Sequence, residues 1–365
     1  MKGWATSAAG ECAAGGQQPA VDRDRVAGLD AIRFVCALWV VFSHFGLVPV
    51  FGYLAEASVW AKLLRGLCGN LFCGVAAVIV FFVISGFCIH FPFRNARSIP
   101  VAAFLARRYL RIGIPCAVAI LAVSCFQSAE ILGFYNAILW SLVAELIYYT
   151  LYPAMFPFLQ KYGWRLVAGA YAIAFVVICL RPHAMNYHDF GPLLTWAVGL
   201  PCWLLGCMLA RSFSSPAPMP DHRVLWLWRA LIWFLASLSS ILRFHGSIGY
   251  PLTLSVFAVA CFCWLRLELR WFQAHPPCRS LERAGAWSYS LYLCHVPVLL
   301  IVGTKLTAKW THGPYHMIEW PLQIAAGVLM SYIFFLAVER PTHRLARHVG
   351  RALRPGRLPS GGSSR

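Results

Sequence analysis

Two residues in one apolar stretch invite a chemical reading: Arg33 and His44, within LDAIRFVCALWVVFSHFGLV at residues 29–48. A neutral imidazole can take a proton from a hydroxyl and hand it to a leaving group, so His44 is a candidate general base. Used as a nucleophile, the same ring would carry an acyl group transiently. Arg33 is a permanent cation, suited to steadying negative charge as it develops. The two stand eleven residues apart, which leaves them only ~20° apart around a helix and ~16 Å apart along it. Ionisable groups in hydrocarbon are costly and tend to stand where they are used or paired. A histidine simply bonded to a neighbouring helix is the structural alternative.

Four further groups share this character. Glu145 closes the run Trp140-Ser141-Leu142-Val143-Ala144-Glu145, and a carboxylate in an apolar helix needs a partner. Arg33 would make it an ion pair, and His44 would make it the orienter of an imidazole. Arg108 and Arg111 are three apart and share a helix face, a fork for phosphates as well as an ordinary membrane anchor. Ser85-Gly86, inside Phe81-Phe82-Val83-Ile84-Ser85-Gly86-Phe87, offers a small surface to another helix or to a slender ligand, with packing the default. Ser288, Tyr292 and His295 recur at helical spacing beside Tyr289, a polar stripe able to line a cavity. The chain has 14 cysteines but no CxxC or Cys/His metal spacing, so no metal is expected. Most of them, Cys88 included, read as small apolar fillers.

The elements that must hold these residues are membrane helices. Of 365 residues, 60% are hydrophobic and 12% charged, with a mean hydropathy of +0.65. A soluble domain would carry about twice that share of charge. The net charge of +18 lies mostly in the connections, which points to membrane lipid rather than nucleic acid. Ten apolar segments are expected at 29–48, 71–91, 110–127, 134–157, 164–181, 193–210, 224–242, 251–265, 284–303 and 318–338. The third and eighth are short, and Pro153 and Pro157 interrupt the fourth. With both termini in the cytosol, 23 of the 31 Lys and Arg face inward and six outward, and Arg33 and Arg229 lie within spans. That bias sets the orientation. The expectation is an all-α polytopic membrane protein of about ten transmembrane helices. A disordered cytosolic tail at 1–27 shows no cleavable signal, a single membrane domain fills 28–345, and a basic disordered tail follows at 346–365.

The order of the motifs resembles the membrane-bound acyltransferase family 3, which includes bacterial O-antigen and exopolysaccharide O-acetylases. Gly28-Leu29-Asp30-Ala31-Ile32-Arg33 with His44 matches its opening pattern, and residues 81–87 match its Phe-Phe-x-x-Ser-Gly-Phe. Arg108 to Arg111, residues 140–145, Tyr289 to His295 and Glu339-Arg340-Pro341 match the remaining motifs in order. Relatives often follow the motif's Glu with a second Glu and a Gln, where this chain has Leu146 and Ile147. The connection near 128–133 is short, and the hydrolase-like domain fused to many relatives is missing, so the acceptor is expected to reach the membrane domain directly.

The resemblance implies transfer of an acyl group, most often acetyl, from acetyl-CoA to a carbohydrate or glycolipid hydroxyl at the bacterial inner membrane. Succinyl-CoA is an alternative donor. It implies catalytic work for His44, Glu145 and Arg33. Arg108 and Arg111 would then meet the nucleotide phosphates, with the pantetheine arm passing Ser85 and Gly86. Trp140, Ser141, Tyr289, Tyr292 and His295 are the expected substrate contacts. The rival class is a transporter of a small anionic or lipid-linked solute, which would use the intramembrane Arg33, Glu145 and His295 equally well.

Overall fold

The computed structural model describes residues 26–45, 58–125, 129–213, 218–302 and 316–353. These residues fold into helices joined by short connections, with no strand among them. Helices α1 (Leu29–His44), α2 (Val59–Gly69), α3 (Gly74–His90), α4 (Val101–Ser124) and α5 (Ala129–Tyr162) form the first half. The second half holds α6 (Trp164–Leu180), α7 (Thr195–Ser212), α8 (His222–His245), α9 (Tyr250–Ala274), the short α10 (Arg279–Ala284), α11 (Ser288–Ile301), α12 (His316–Phe334) and α13 (Arg340–Ala352).

Each expected apolar segment falls on one of these helices, although residues 46–48, 126–127 and 303 lie outside the described residues. Among the described residues, six helical stretches are long and apolar enough to cross a membrane, and Trp164–Leu180 is a shorter apolar helix. The two short segments belong to long helices: α4 has 24 residues and α9 has 25. Their apolar runs understate them because Arg107 and Arg108, or Arg266, Glu268 and Arg270, continue the same helix as charged residues. The prolines expected to interrupt the fourth span do not: α5 runs unbroken for 34 residues through Pro153 and Pro157. A helix proline forfeits one backbone bond, a loss that packed neighbours in a membrane bundle can absorb.

Helix α3 is the centre. Thirteen of its 17 residues are buried, as expected of a helix apolar on every side. Its closest neighbour is α7, because glycines face each other's backbone. A Cβ on Gly86 would be driven into the Trp203 carbonyl, and one on Gly206 into the Val83 carbonyl. At the periphery, Phe175 of α6, Leu227 of α8 and Leu329 of α12 are 58%, 70% and 59% exposed, an apolar belt suited to lipid.

Connections gather at two ends of the bundle. At one end, the Glu282 carboxylate accepts the backbone N–H groups of Gly28 and Ala31 at 2.6 and 2.9 Å. That carboxylate closes the N-terminus of α1, where Gly28 takes a left-handed φ of 88°. Arg211 at the same end donates to the Leu159 carbonyl at 2.5 Å. At the other end, Ser240 donates to Asn70 at 2.6 Å, and Tyr250 N–H donates to the Met185 carbonyl at 3.0 Å. One sequence expectation changes here. Residues 346–352, read as the start of a disordered tail, belong to helix α13, which buries Thr342, Ala346 and Gly350 and packs along α4. Residues 1–25 and 354–365, the remainder of both expected tails, lie outside the described residues.

Candidate active site

A cavity of about 690 Å³ opens among α1, α3, α4, α5, α11 and α13. Of the residues picked out by type and spacing, it is lined by Arg33, Ser85, Arg108, Arg111, Ser141, Glu145, Ser288, Tyr289 and Tyr292. Sequence separations of up to 259 residues are closed by the packing around α3.

Glu145 sits in this cavity as a fixed acceptor. Ser85 Oγ donates to its Oε1 at 2.6 Å, and the Tyr149 hydroxyl donates to the same oxygen. Ser85 Oγ is held in turn by the Trp203 indole N–H at 3.2 Å and lies 2.9 Å from the Tyr149 hydroxyl. Both bonds to the carboxylate end on Oε1, so Oε2 takes no hydrogen bond from the described residues. Neither partner expected from the sequence holds Glu145. Arg33 instead bonds Asp30 Oδ1 and Cys88 Sγ, at 3.2 and 3.3 Å. Asp30 is three residues away on the same helix, and local pairing needs less ordering than a reach across the cavity. Cys88 is therefore more than an apolar filler.

The cavity lining is strongly basic. Seven arginines line it (Arg33, Arg107, Arg108, Arg111, Arg340, Arg344 and Arg347) against three carboxylates, Asp30, Glu145 and Glu339. Arg108 lies over the Tyr149 and Phe104 rings at 5.8 and 5.9 Å and has no carboxylate partner among the described residues. Arg111 Nε donates to His343 Nε2 at 3.1 Å. Glu339, 1% exposed, accepts the Ser290 N–H at 3.1 Å and the Ser290 hydroxyl. Such a surplus of guanidinium groups suits a polyanion.

The two histidines lie elsewhere. His44 and His295 do not line the cavity but meet each other, with His295 Nε2 at 3.3 Å from His44 Nδ1. His44 Nδ1 is 2.9 Å from the Val40 carbonyl, and His295 Nδ1 is 2.7 Å from the Tyr292 carbonyl. A carbonyl only accepts, so both rings carry their hydrogen on Nδ1. Nε2 of His295 then faces His44 Nδ1 as the acceptor. Phe81 and Tyr292, whose rings are 6.3 Å apart, both line the cavity, and Tyr292 links its wall to this pair. The Tyr292 ring is 5.9 Å from His295, and its hydroxyl is fixed by Ser141 at 2.8 Å and the Ile138 carbonyl at 3.1 Å.

Two expected contacts fall outside the cavity for clear reasons. Gly86 faces α7, so of the Ser85-Gly86 pair only Ser85 meets the cavity. Trp140 stacks on Tyr187 at 4.9 Å and 7°, and meets Phe82 edge-on. Tyr289 lines the cavity while donating to the Ile112 carbonyl at 2.9 Å, tying α11 to α4. Sequence reasoning missed Tyr149, Arg344 and Arg347, and it named Glu339 and Arg340 only as part of a closing motif, without a place in the cavity. Tyr149 was within reach, since it stands one helical turn beyond Glu145. No cluster of metal-ligating side chains occurs among the described residues.

The model of a family described as the Acyltransferase domain matches residues 26–340. The chain belongs to membrane-bound acyltransferase family 3. No curated protein and no solved structure matches it. The matched span begins just before α1 and ends at the first residue of α13, so it takes in the whole cavity except the side contributed by α13. Membership of this acyltransferase family makes the chain a membrane acyltransferase with several apolar helices.

Proposed function

We propose that this acyltransferase moves an acyl group, most simply acetyl, from cytosolic acyl-CoA to a carbohydrate or glycolipid hydroxyl, across a ten-span bundle in the inner membrane with both termini in the cytosol. Succinyl-CoA fits the same cavity chemistry. The observation that carries the reading is the cavity itself. Its basic end suits the phosphates of a nucleotide donor, and its far end stops at Phe81 and Tyr292, one aromatic layer from the His44–His295 pair.

In this reading, Arg108 and Arg111 bind the pyrophosphate. The uncharged pantetheine arm passes Ser85, and Glu145 Oε2 accepts one of its amide N–H groups. Glu145 and Ser85 thus position the donor, and Arg33 holds the cytosolic end of α1 while countering negative charge in the cavity. The acyl end reaches the Phe81–Tyr292 layer, where side-chain rotation admits it to His44. His44 Nε2 takes the proton from the acceptor hydroxyl as its oxygen bonds the thioester carbon. Collapse of the tetrahedral intermediate breaks the C–S bond, and the departing thiolate recovers the proton from His44. His295 is a positioning residue that fixes the His44 tautomer.

The test is to incubate membranes carrying the protein with radiolabelled acetyl-CoA and to compare surface-glycan masses with and without it. Label in a glycan, with a gain of one acetyl mass, is expected. Absence of acceptor labelling from both acetyl- and succinyl-CoA in membranes holding folded protein would overturn the proposal.

A further inference from the structure

Helix α13 contributes arginines that the family match, ending at residue 340, leaves almost entirely out of account. Arg340, Arg344, Arg347 and Arg351 recur at i, i+4, i+7 and i+11, which gathers them within ~60° of one helix face. The first three line the cavity. All are exposed, and none has a hydrogen-bond or ion-pair partner among the described residues. Yet α13 is not a loose basic tail. Ala346 and Gly350 are buried against α4, and a Cβ on Gly350 would be driven into the Arg107 side chain. The packing sets unpartnered guanidinium groups at a fixed place on the cavity's rim.

Depth within the cavity sorts the arginines. Arg108 lies over Tyr149, which is bonded to Glu145, so it belongs to the inner part. Arg344 and Arg347 are exposed where Arg108 is half-buried, which makes them the outer ones. An acyl-CoA placed with its thioester toward Phe81 and Tyr292 has its pyrophosphate at intermediate depth and its ribose 3′-phosphate farthest out. That phosphate is a monoester, close to a dianion at neutral pH, and guanidinium forks match its oxygens bidentately.

We propose that Arg344 and Arg347 of α13 bind the 3′-phosphate of the donor and so make the enzyme select CoA over its 3′-dephospho form. This rests on the acyl-CoA reading above. An anionic lipid headgroup offers the same phosphate chemistry, and the experiment separates the two sources.

The probe is displacement of radiolabelled acetyl-CoA from the purified full-length protein by CoA or by 3′-dephospho-CoA, in nanodiscs with and without anionic lipid. Wild-type protein should bind CoA at least about tenfold more tightly than the dephospho form, as loss of charge-assisted hydrogen bonds requires. The double variant Arg344→Gln/Arg347→Gln should lose that factor for CoA, keep its affinity for the dephospho form, and do so whatever the lipid. Arg351→Gln removes the same charge from the same stripe outside the cavity lining, and should keep the discrimination. The proposal is overturned if wild-type protein binds both forms equally, if the double variant still discriminates, or if its binding of both falls together only in anionic nanodiscs. Failure of wild-type protein to bind either form would instead sink the acyl-CoA reading beneath it.

Discussion

The basic cavity and the histidine pair are built on opposite principles. In the cavity, arginines outnumber carboxylates seven to three, and Arg108, Arg344 and Arg347 have no ion-pair partner among the described residues. At the histidine pair, each ring is tied to a backbone carbonyl and to the other ring, and His295 is fully buried. Unspent charge at a solvent-reaching mouth is a property of a binding site for an anion. A fixed neutral tautomer in an apolar layer is a property of a base. Under the proposed function, binding and chemistry are divided between these two regions, which meet through Phe81 and Tyr292.

If so, substitutions should fall into two classes. His44→Ala should lower acyl transfer by about 10²- to 10⁴-fold with little change in acetyl-CoA binding, measured by single-turnover transfer beside equilibrium binding. Loss of binding in proportion would merge the two regions. Arg108→Ala/Arg111→Ala should do the reverse, weakening acetyl-CoA binding by roughly 100-fold while transfer at saturating donor stays within a few-fold. Smaller still is Glu145→Gln, which keeps an acceptor on the side chain but removes its charge. The donor KM should rise several-fold, about the difference between a charged and a neutral hydrogen bond, with kcat nearly unchanged. A kcat collapse there would return Glu145 to the chemistry. Gly86→Ala is the structural control, since the added methyl meets the Trp203 carbonyl. It should cost ~1–3 kcal/mol of stability, read by thermal unfolding in detergent, without shifting the ratio of transfer to binding in the protein that folds.

Local spacing made part of this site legible. Arg33 and His44 sit on one helix because eleven residues bring them round to nearly the same face. The stripe Ser288–Tyr292–His295 is real, and it runs from the cavity wall to the histidine pair. What sequence could not supply was any contact between helices. The His44–His295 bond closes a separation of 251 residues, and Glu145 found hydroxyl partners rather than a charged one. A carboxylate signals that it needs donors, not which ones. Helix α13 was hidden for a different reason. Its arginines look like a solvated tail, and its buried face consists of the small residues Thr342, Ala346 and Gly350, which carry little hydropathy signal.

The division of labour is tested most directly by one paired measurement: acetyl-CoA binding and acetyl transfer in the same vesicles, for His44→Ala and Arg108→Ala/Arg111→Ala side by side. The expected pattern is crossed, with His44→Ala binding donor at wild-type affinity but transferring almost none, and the arginine variant binding poorly but transferring once donor is saturating. A folded His44→Ala protein that transfers acetyl at the wild-type rate would contradict the account outright.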